Sequence, residues 1–256
     1  MNIHDEFILT PVSSILKEMV IATRGIGHGL EVYPLSEYIL QSTFIRMTGQ
    51  QEQKLKCIAW VMATYDFEYR IQFSANSDRG FSRYSDKNSL FKEIIGNIKK
   101  IDPDFNVSYL YNSDIIYKTK TEIETILDHS TIQIINDRLF YYFKKFELIE
   151  GDGIIHSNSK KPTLELIRKA KSEKTPYLFN IYESLYRQRN RIAHNTLSYQ
   201  KKVPKLDVFK EKNLFIENYF IWFFLIALID NIFMDLFKRF INNVNNEVLW
   251  LCVSFL

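Results

Sequence analysis

The residues YFIWFFLIALI, Tyr219 to Ile229, form the strongest apolar run in the chain and decide the kind of fold to expect. Glu217 and Asp230 bound the run, and its 11 residues fall short of the ~20 that a membrane-spanning helix needs. The run therefore predicts a helix that is buried in the core or in a subunit interface. No membrane partner is expected.

The composition around this run favours a helical protein. The 256 residues are 46% apolar and 25% charged, and only 8 Gly and 6 Pro interrupt the chain. A chain of this length is sufficient for one large domain with its own core. No internal repeat is visible, and nothing divides the sequence cleanly in two. The sequence predicts a single all-α domain over residues 1–256, a bundle of about six or seven helices.

Apolar residues at helical spacing predict where the helices lie. The predicted helices are 12–24, 35–73 with Gly49 as a candidate break, 87–100, 121–150, a short helix from Pro162, 176–198 and 206–244. Thr121 and Glu124 have the spacing of a capping box, which predicts a helix start at Thr121. Residues 74–86 and 156–161 are expected to be loops, and 102–113 is compatible with a short extended segment.

The helix predicted over 176–198 carries one residue that violates its pattern. Its apolar stripe is formed by Leu178, Ile181, Tyr182, Leu185, Ile192, Ala193 and Thr196. At 100° per residue, Arg189 falls in the middle of this stripe. A guanidinium that is buried without a partner is very unstable. Arg189 must therefore meet a carboxylate, backbone carbonyls or an anionic ligand.

Three polar residues share the face beside this stripe. Tyr186, Asn190 and His194 follow one another at i, i+4 spacing. Histidine titrates near neutral pH and transfers protons, whereas arginine holds a phosphate and stabilises charge that develops on it. Arg189 and His194 are five residues apart, about 140° around a helix. They converge through the long Arg side chain, a local distortion, or pairing across a symmetric dimer.

The six residues from Arg189 to His194, RNRIAH, resemble the R-x4-6-H signature of the HEPN superfamily, in which a polar residue, commonly Asn, follows the Arg. The resemblance covers about residues 121–244. It implies an all-α HEPN-like bundle that dimerises through the motif helix and forms one composite cleft from two motifs. It also implies that Arg189 and His194 are catalytic and that Asn190 supports them.

The activity implied by the resemblance is that of a metal-independent endoribonuclease. Attack by the ribose 2′-hydroxyl leaves a 2′,3′-cyclic phosphate, and many family members are toxins or phage-defence effectors. Some HEPN toxins carry a Tyr two residues after the His, which a partner enzyme modifies. Thr196 stands at that position here, and the nearest tyrosine is Tyr199, so silencing by that route is not expected.

Other residues near the motif are weaker candidates for RNA contact. Tyr186, Arg191, Lys201 and Lys202 offer an aromatic ring and positive charges to bases and phosphates. The formal net charge of +3 does not by itself mark a nucleic-acid-binding protein. No metal or other cofactor is expected, because the remaining histidines lack neighbours at ligand spacing.

The expected partners are an RNA substrate, a second copy of the chain and an antitoxin or other regulatory protein. Cys57 and Cys252 lie far apart in apolar stretches, which predicts buried free thiols in a reducing cytoplasm. Residues 1–113 form a helical N-terminal half of unassigned role. The alternative function is a non-catalytic HEPN-like module that binds RNA or a partner. A third interpretation, a peripheral membrane or structural protein, rests on 219–229 and the apolar ending 248–256.

Overall fold

A computed structural model of the protein describes residues 3–27, 29–75, 79–107, 113–147, 154–158, 161–167, 178–194 and 215–254. The α-helices in these ranges are α1 (Ile3–Leu9), α2 (Ser14–Ala22), α3 (Tyr33–Tyr65), α4 (Phe67–Ala75), α5 (Tyr84–Ile101), α6 (Ser113–Leu127), α7 (Thr131–Ile135), α8 (Asp137–Lys145), α9 (Leu178–Ala193) and α10 (Tyr219–Ser254). A 3-10 turn, Leu30–Val32, precedes α3. Strands β1 (Ile154–Asn158) and β2 (Lys161–Ile167) pair as an antiparallel hairpin. The predominance of helix confirms the predicted all-α class, and the hairpin is an addition to it. The predicted number of six or seven helices is wrong, because capped breaks divide two of the predicted helices, and the described residues contain ten.

Helix α10 forms the centre of the core. Every residue from Phe220 to Ile229 is at most 3% exposed. The helices α3, α5, α6, α8 and α9 all pack against α10. A helix that is apolar on all sides must be surrounded by other elements, and α10 is enclosed in this way. The apolar run that predicted a buried helix is confirmed as the core.

The apolar part of α10 is longer than the run of 11 residues indicates. Five more residues with exposures of at most 2% follow Asp230, namely Ile232, Phe233, Leu236, Phe237 and Phe240. Residues 219–246 are therefore long and apolar enough to cross a membrane by length and composition alone. Of the most apolar window, 89% is buried inside the protein. The sequence analysis ended the apolar segment at Ile229, before Asp230. That length was too short, because buried apolar residues continue at helical spacing beyond Asp230.

Asp230 lies inside the core and forms an ion pair with Lys54 of α3. The Lys54 Nζ is 2.6 Å from Oδ1 of Asp230, and it also donates to the carbonyl of Thr10 at 2.8 Å. The backbone N–H of Val12 donates to Oδ2 of Asp230 at 3.0 Å. Burial lowers the pKa of Lys54 and raises the pKa of Asp230, while their mutual attraction acts in the opposite direction. The pair joins α10, α3 and the segment between α1 and α2 at one point.

This ion pair predicts a large effect of a single truncation. Asp230→Ala is expected to lower the free energy of unfolding by roughly 3–5 kcal/mol, because it leaves the buried Lys54 ammonium without a counter-charge. Urea denaturation followed by circular dichroism measures the loss. The double variant Lys54→Met with Asp230→Leu is expected to recover most of it, since apolar residues can replace a buried pair. A single variant as stable as the parent would contradict the assignment.

The helix predicted over 35–73 is two helices, and its break is not at Gly49. Helix α3 runs through Gly49 without interruption and ends before Asp66. Asp66 has extended backbone angles, and its carboxylate accepts the backbone N–H of Tyr69 at 3.0 Å. An aspartate that caps the next helix therefore makes the break, whereas glycine alone only weakens a helix.

The prediction of one helix over 121–150 is wrong, because three helices, α6, α7 and α8, cover this part of the chain. Thr121 lies in the middle of α6, so its capping-box spacing does not mark a helix start. Helix α6 stops at Leu127, and His129 has a positive φ of 56° that no continuing helix allows. Ser130 then caps α7 with its side chain. The apolar spacing continues through these breaks because all three short helices face the same core.

The predicted loop 156–161 and the helix predicted from Pro162 are replaced by the β1–β2 hairpin. Two side chains of α5 hold this hairpin. Asn88 Oδ1 and the Tyr84 hydroxyl each accept a backbone N–H of β2, at 2.9 and 3.0 Å. Such hydrogen bonds between distant segments have no signature in a local pattern, which explains the wrong prediction.

The last helix is displaced toward the C-terminus relative to its predicted range of 206–244. Asn218 accepts the backbone N–H of Phe220 at 2.9 Å and caps a helix that begins at Tyr219. The helix ends at Ser254. Residues 201–214, which contain the candidates Lys201 and Lys202, lie outside the described residues.

Candidate functional site

Helix α9 presents the RNRIAH motif at its C-terminal end. Its buried face is formed by Leu178, Ile181, Tyr182 and Leu185, in agreement with the predicted apolar stripe. Farther along, Ile192 is half-buried and Ala193 is exposed, so the stripe fades before His194. The first three turns of α9 therefore anchor the helix, and the last turn projects toward solvent.

Arg189 meets a carboxylate, as its position in the stripe requires. Its Nη2 lies 2.9 Å from Oε2 of Glu52 on α3, and its Nη1 donates to Oδ1 of Asn190 at 3.2 Å. The Arg189 side chain is 25% exposed to solvent, and the Glu52 side chain is 12% exposed. Burial raises the pKa of the Glu52 carboxyl, whereas the charge of Arg189 lowers it. The pair sits at the edge of the core and fixes the motif end of α9 to α3.

Lys87 of α5 is buried and lies close enough to Glu52 and Arg189 to interact with the charge of each. Its ammonium donates to Oε1 of Gln51 and lies 5.6 Å from the centre of the Tyr182 ring. Burial lowers the pKa of Lys87 to about 8, even though the neighbouring carboxylate of Glu52 raises it. The Glu52 carboxylate thus has two cations in its neighbourhood, Arg189 and Lys87.

The pKa of Lys87 predicts a pH dependence of stability. Lys87 titrates near 10.5 in the unfolded chain and near 8 in the folded protein. Between these pH values the unfolded chain binds more protons, so the free energy of unfolding rises with pH. Lys87→Met removes this contribution. From pH 8 to 10, the wild-type protein should gain about 1 to 3 kcal/mol relative to the variant.

Urea denaturation of both proteins at a series of pH values measures this difference. Tyrosines that do not contact Lys87 contribute alike in both proteins, so their ionisation cancels in the comparison. A difference in stability that stays constant across the pH range would show that Lys87 keeps an ordinary pKa.

The motif opens into a cleft of about 660 Å³ between α9 and the segment that leads into α5. Its charged and larger polar lining residues are Arg79, Arg83, Asp86, Tyr186, Arg189, Asn190 and His194. The three motif residues Arg189, Asn190 and His194 therefore share one cleft with Tyr186, as their helical spacing predicts. Arg191, a weaker candidate, is exposed and is not among the residues that line the cleft.

A chain of polar contacts connects the side chains of this cleft. The Tyr186 hydroxyl is hydrogen-bonded by Asn190 and by Arg83, and both contacts lower its pKa. Asn190 in turn accepts a hydrogen bond from Arg189. The exposed His194 closes the helix, with its backbone N–H donating to the carbonyl of Asn190 at 3.0 Å. The Asn190 side chain thus links the side chains of Arg189 and Tyr186.

Two arginines of the cleft, Arg79 and Arg83, were missed by the sequence analysis. They flank Phe81, whose ring is buried and whose φ is 54°, so the loop is anchored at its middle. The Tyr182 hydroxyl of α9 also donates to a carbonyl of this loop at 2.9 Å. Arg79 pairs with Glu93 at 2.6 Å. Loop residues have no periodicity from which their direction can be deduced, and only the nearness of two arginines in sequence was a signal.

The cleft presents guanidinium groups to a ligand, and two of them already have carboxylate partners, Arg79 in Glu93 and Arg189 in Glu52. Among the described lining residues, Arg79, Arg83 and Arg189 are accompanied by a single carboxylate, Asp86. Guanidinium groups hold phosphate oxygens with two parallel hydrogen bonds. No group of three or more His, Cys, Asp or Glu side chains suited to a metal ion occurs in the part of the chain that the structure describes. The arrangement provides phosphate contacts and one imidazole for proton transfer.

Comparison with known proteins gives no match. No protein-family model, no curated protein and no solved structure matches this chain. The resemblance to the HEPN superfamily therefore rests on the residues of the motif and stays a prediction, as does dimerisation through α9.

Proposed function

We propose that this protein is a metal-independent endoribonuclease of the HEPN type that acts in the cytoplasm as a toxin or phage-defence effector. The observation that carries the proposal is the shared cleft of Arg189, Asn190 and His194, which two further arginines line. The proposed partners are RNA, a second copy of the chain and an antitoxin or other regulatory protein.

In the proposed reaction, the ribose 2′-oxygen attacks the adjacent phosphorus. The bond from phosphorus to the 5′-oxygen breaks, which leaves a 2′,3′-cyclic phosphate on one product and a 5′-hydroxyl on the other. One proton must leave the 2′-hydroxyl, and one must reach the departing 5′-oxygen. The imidazole of His194, which lines the cleft, is the group assigned to one of these transfers. A dimer that pairs two α9 helices would supply the second imidazole.

Arg189 is assigned the role of holding the phosphate. A guanidinium has five N–H donors, and the contacts with Glu52 and Asn190 engage only part of them. The contact with Glu52 also holds the group in place before substrate arrives, so less order is lost when the transition state forms. Asn190 keeps Arg189 and Tyr186 in a fixed relation. These contacts support the proposal.

The test is cleavage of a labelled single-stranded RNA in EDTA by the purified protein and its variants. His194→Ala is expected to lower the rate by at least ~100-fold, because general acid–base catalysis contributes about that much or more. His129→Ala is the matched control, since this side chain is 93% exposed and remote in sequence from the motif. Arg189→Ala is compared with Arg46→Ala, a surface arginine whose partner is the exposed Glu18.

The products identify the reaction. Ends that carry a 2′,3′-cyclic phosphate agree with attack by the 2′-hydroxyl, and 3′-hydroxyl ends contradict it. Equal cleavage by the wild-type and His194→Ala proteins would disprove the assignment of His194. Loss of activity in His129→Ala as well would show that the loss is not specific to the motif.

A second candidate function is a non-catalytic HEPN-like module that binds RNA or a partner protein. The Arg189–Glu52 ion pair favours it, because Arg189 already has a structural partner inside the protein. This function predicts that Arg189→Ala weakens RNA association while no cleavage product forms in any variant. Expression in cells separates the two, since toxicity that disappears in His194→Ala indicates catalysis.

A further inference from the structure

A larger cleft, of about 1170 Å³, is lined by the second half of α3, by α4 and by the loop before α5. We name it the α3–α4 cleft. The cleft at the RNRIAH motif is smaller, at about 660 Å³. Sites for small molecules are concave, mostly apolar and carry a few polar groups that orient the ligand. The α3–α4 cleft has this character, and the proposed ribonuclease chemistry does not use it.

Three aromatic rings from three different segments line the α3–α4 cleft. They belong to Trp60 of α3, Phe73 of α4 and Phe81 of the loop before α5. Phe81 is buried, and the half-buried Phe73 stacks on Tyr69 with 6.1 Å between the ring centres. Trp60 is 61% exposed, so packing within the chain leaves most of its indole open. Rings that border one space from different segments suit a flat aromatic body, which they contact by stacking and by ring edges.

The charged side chains of the α3–α4 cleft are basic. Lys56, Arg70 and Arg79 line it together with His4, and no Asp or Glu occurs among the lining residues that the structure describes. Arg79 is paired with Glu93, so its charge is already balanced.

The other two cations have no carboxylate at ion-pair distance within the described part of the chain. The Arg70 guanidinium donates to two carbonyls in the last turn of α3, at 2.7 and 3.0 Å, and these acceptors carry no net charge. Lys56 is exposed, and its charge lowers the pKa of Glu52, which is already paired with Arg189. Lys56 also precedes Trp60 by four residues on α3, so the two side chains are neighbours on one helix face. An ammonium one turn from an open indole suits a ligand that joins an anionic group to an aromatic body.

The loop before α5 connects this cleft with the motif. Arg79 and Gly80 line both clefts. Phe81 lines the α3–α4 cleft, whereas Arg83 lines the cleft at the motif. A ligand in the α3–α4 cleft therefore contacts the same loop that supplies two arginines to the motif.

We propose that the α3–α4 cleft binds a small aromatic monoanion, with its rings against Trp60 and Phe73 and its anionic group at Lys56. Binding steadies the loop from Arg79 to Arg83. The site is separate from the proposed nuclease chemistry, and the inference does not depend on the ribonuclease assignment. It gives the protein a place at which a small molecule reaches one wall of the motif cleft.

The first experiment compares two fluorescent probes on the full-length protein. Anilinonaphthalene sulfonate is an aromatic monoanion, and phenylnaphthylamine has the same rings without the sulfonate. Trp60→Ala is expected to raise the Kd of both probes about 10-fold, because both lose the stacking surface. Lys56→Ala is expected to raise the Kd of the sulfonate about 2- to 5-fold and to leave the Kd of the neutral probe unchanged.

Two matched controls lie outside this cleft. Tyr38→Ala removes a ring of α3 that is 69% exposed, and Lys17→Ala removes an exposed lysine of α2. Both should bind the probes as the wild-type protein does, and circular dichroism verifies that every variant is folded. Equal effects of Trp60→Ala and Tyr38→Ala, equal effects of Lys56→Ala on both probes, or no saturable binding would overturn the proposal.

Hydrogen exchange locates the bound probe independently of its fluorescence. With the sulfonate at about ten times its Kd, backbone amides of residues 79–83 should exchange roughly 10-fold more slowly, because the ligand stabilises the closed form of the loop. Amides of α2 should be unaffected, and Trp60→Ala should abolish the protection. Unchanged exchange in the loop at saturating probe would show that the ligand does not reach the wall of the motif cleft.

Discussion

One polar turn of α3, from Gln51 to Lys54, holds together the elements around it. Gln51 donates to the carbonyl of Ile226 in α10 at 2.7 Å and accepts from Lys87 of α5. Glu52 binds Arg189 of α9, and Lys54 binds Asp230 of α10. Polar groups that are removed from water must find hydrogen-bond or charge partners. The partners of this turn lie on α5, on α9 and at two positions of α10. A shift of one helix by a single residue would leave a charge unpaired, so this turn specifies how the helices fit together.

The position of the candidate site follows from this turn. Glu52, which binds Arg189, stands two residues before Lys54, the lysine that binds Asp230 in the core. The motif end of α9 is therefore coupled to the most buried part of the protein. Among the described residues, no buried side-chain nitrogen or oxygen lacks a hydrogen-bond partner. Functional side chains on a helix that is fixed in this way need little reorganisation when a ligand binds. The arginines of the loop, held by the buried Phe81, complete the cleft from the other side.

Part of this arrangement could be predicted from the sequence, and there is a physical reason why the rest could not. The periodicity of the 176–198 segment predicted the buried face of α9 and the need of Arg189 for a partner, both of which the structure confirms. The partner itself, Glu52, is 137 positions away, and a helical pattern contains only relations between neighbours on the same helix. The same limit explains the wrong helix at Pro162, since the hairpin there depends on side chains of α5. Breaks such as the one at Asp66 depend on single capping contacts and are equally invisible to periodicity.

Arg189 and His194, the first and last residues of the RNRIAH motif, give different support to the proposed function. Arg189 has a structural role that would preserve it even in a protein without activity, because its loss leaves Glu52 partly buried and without its ion-pair partner. His194 is exposed, and its only hydrogen bond to Asn190 is made by the backbone, which any residue provides. Packing therefore does not explain why this position is a histidine. An imidazole at the mouth of an arginine-lined cleft has an explanation in proton transfer beside a bound phosphate, and the functional proposal depends more on His194 than on the arginine that defines the motif.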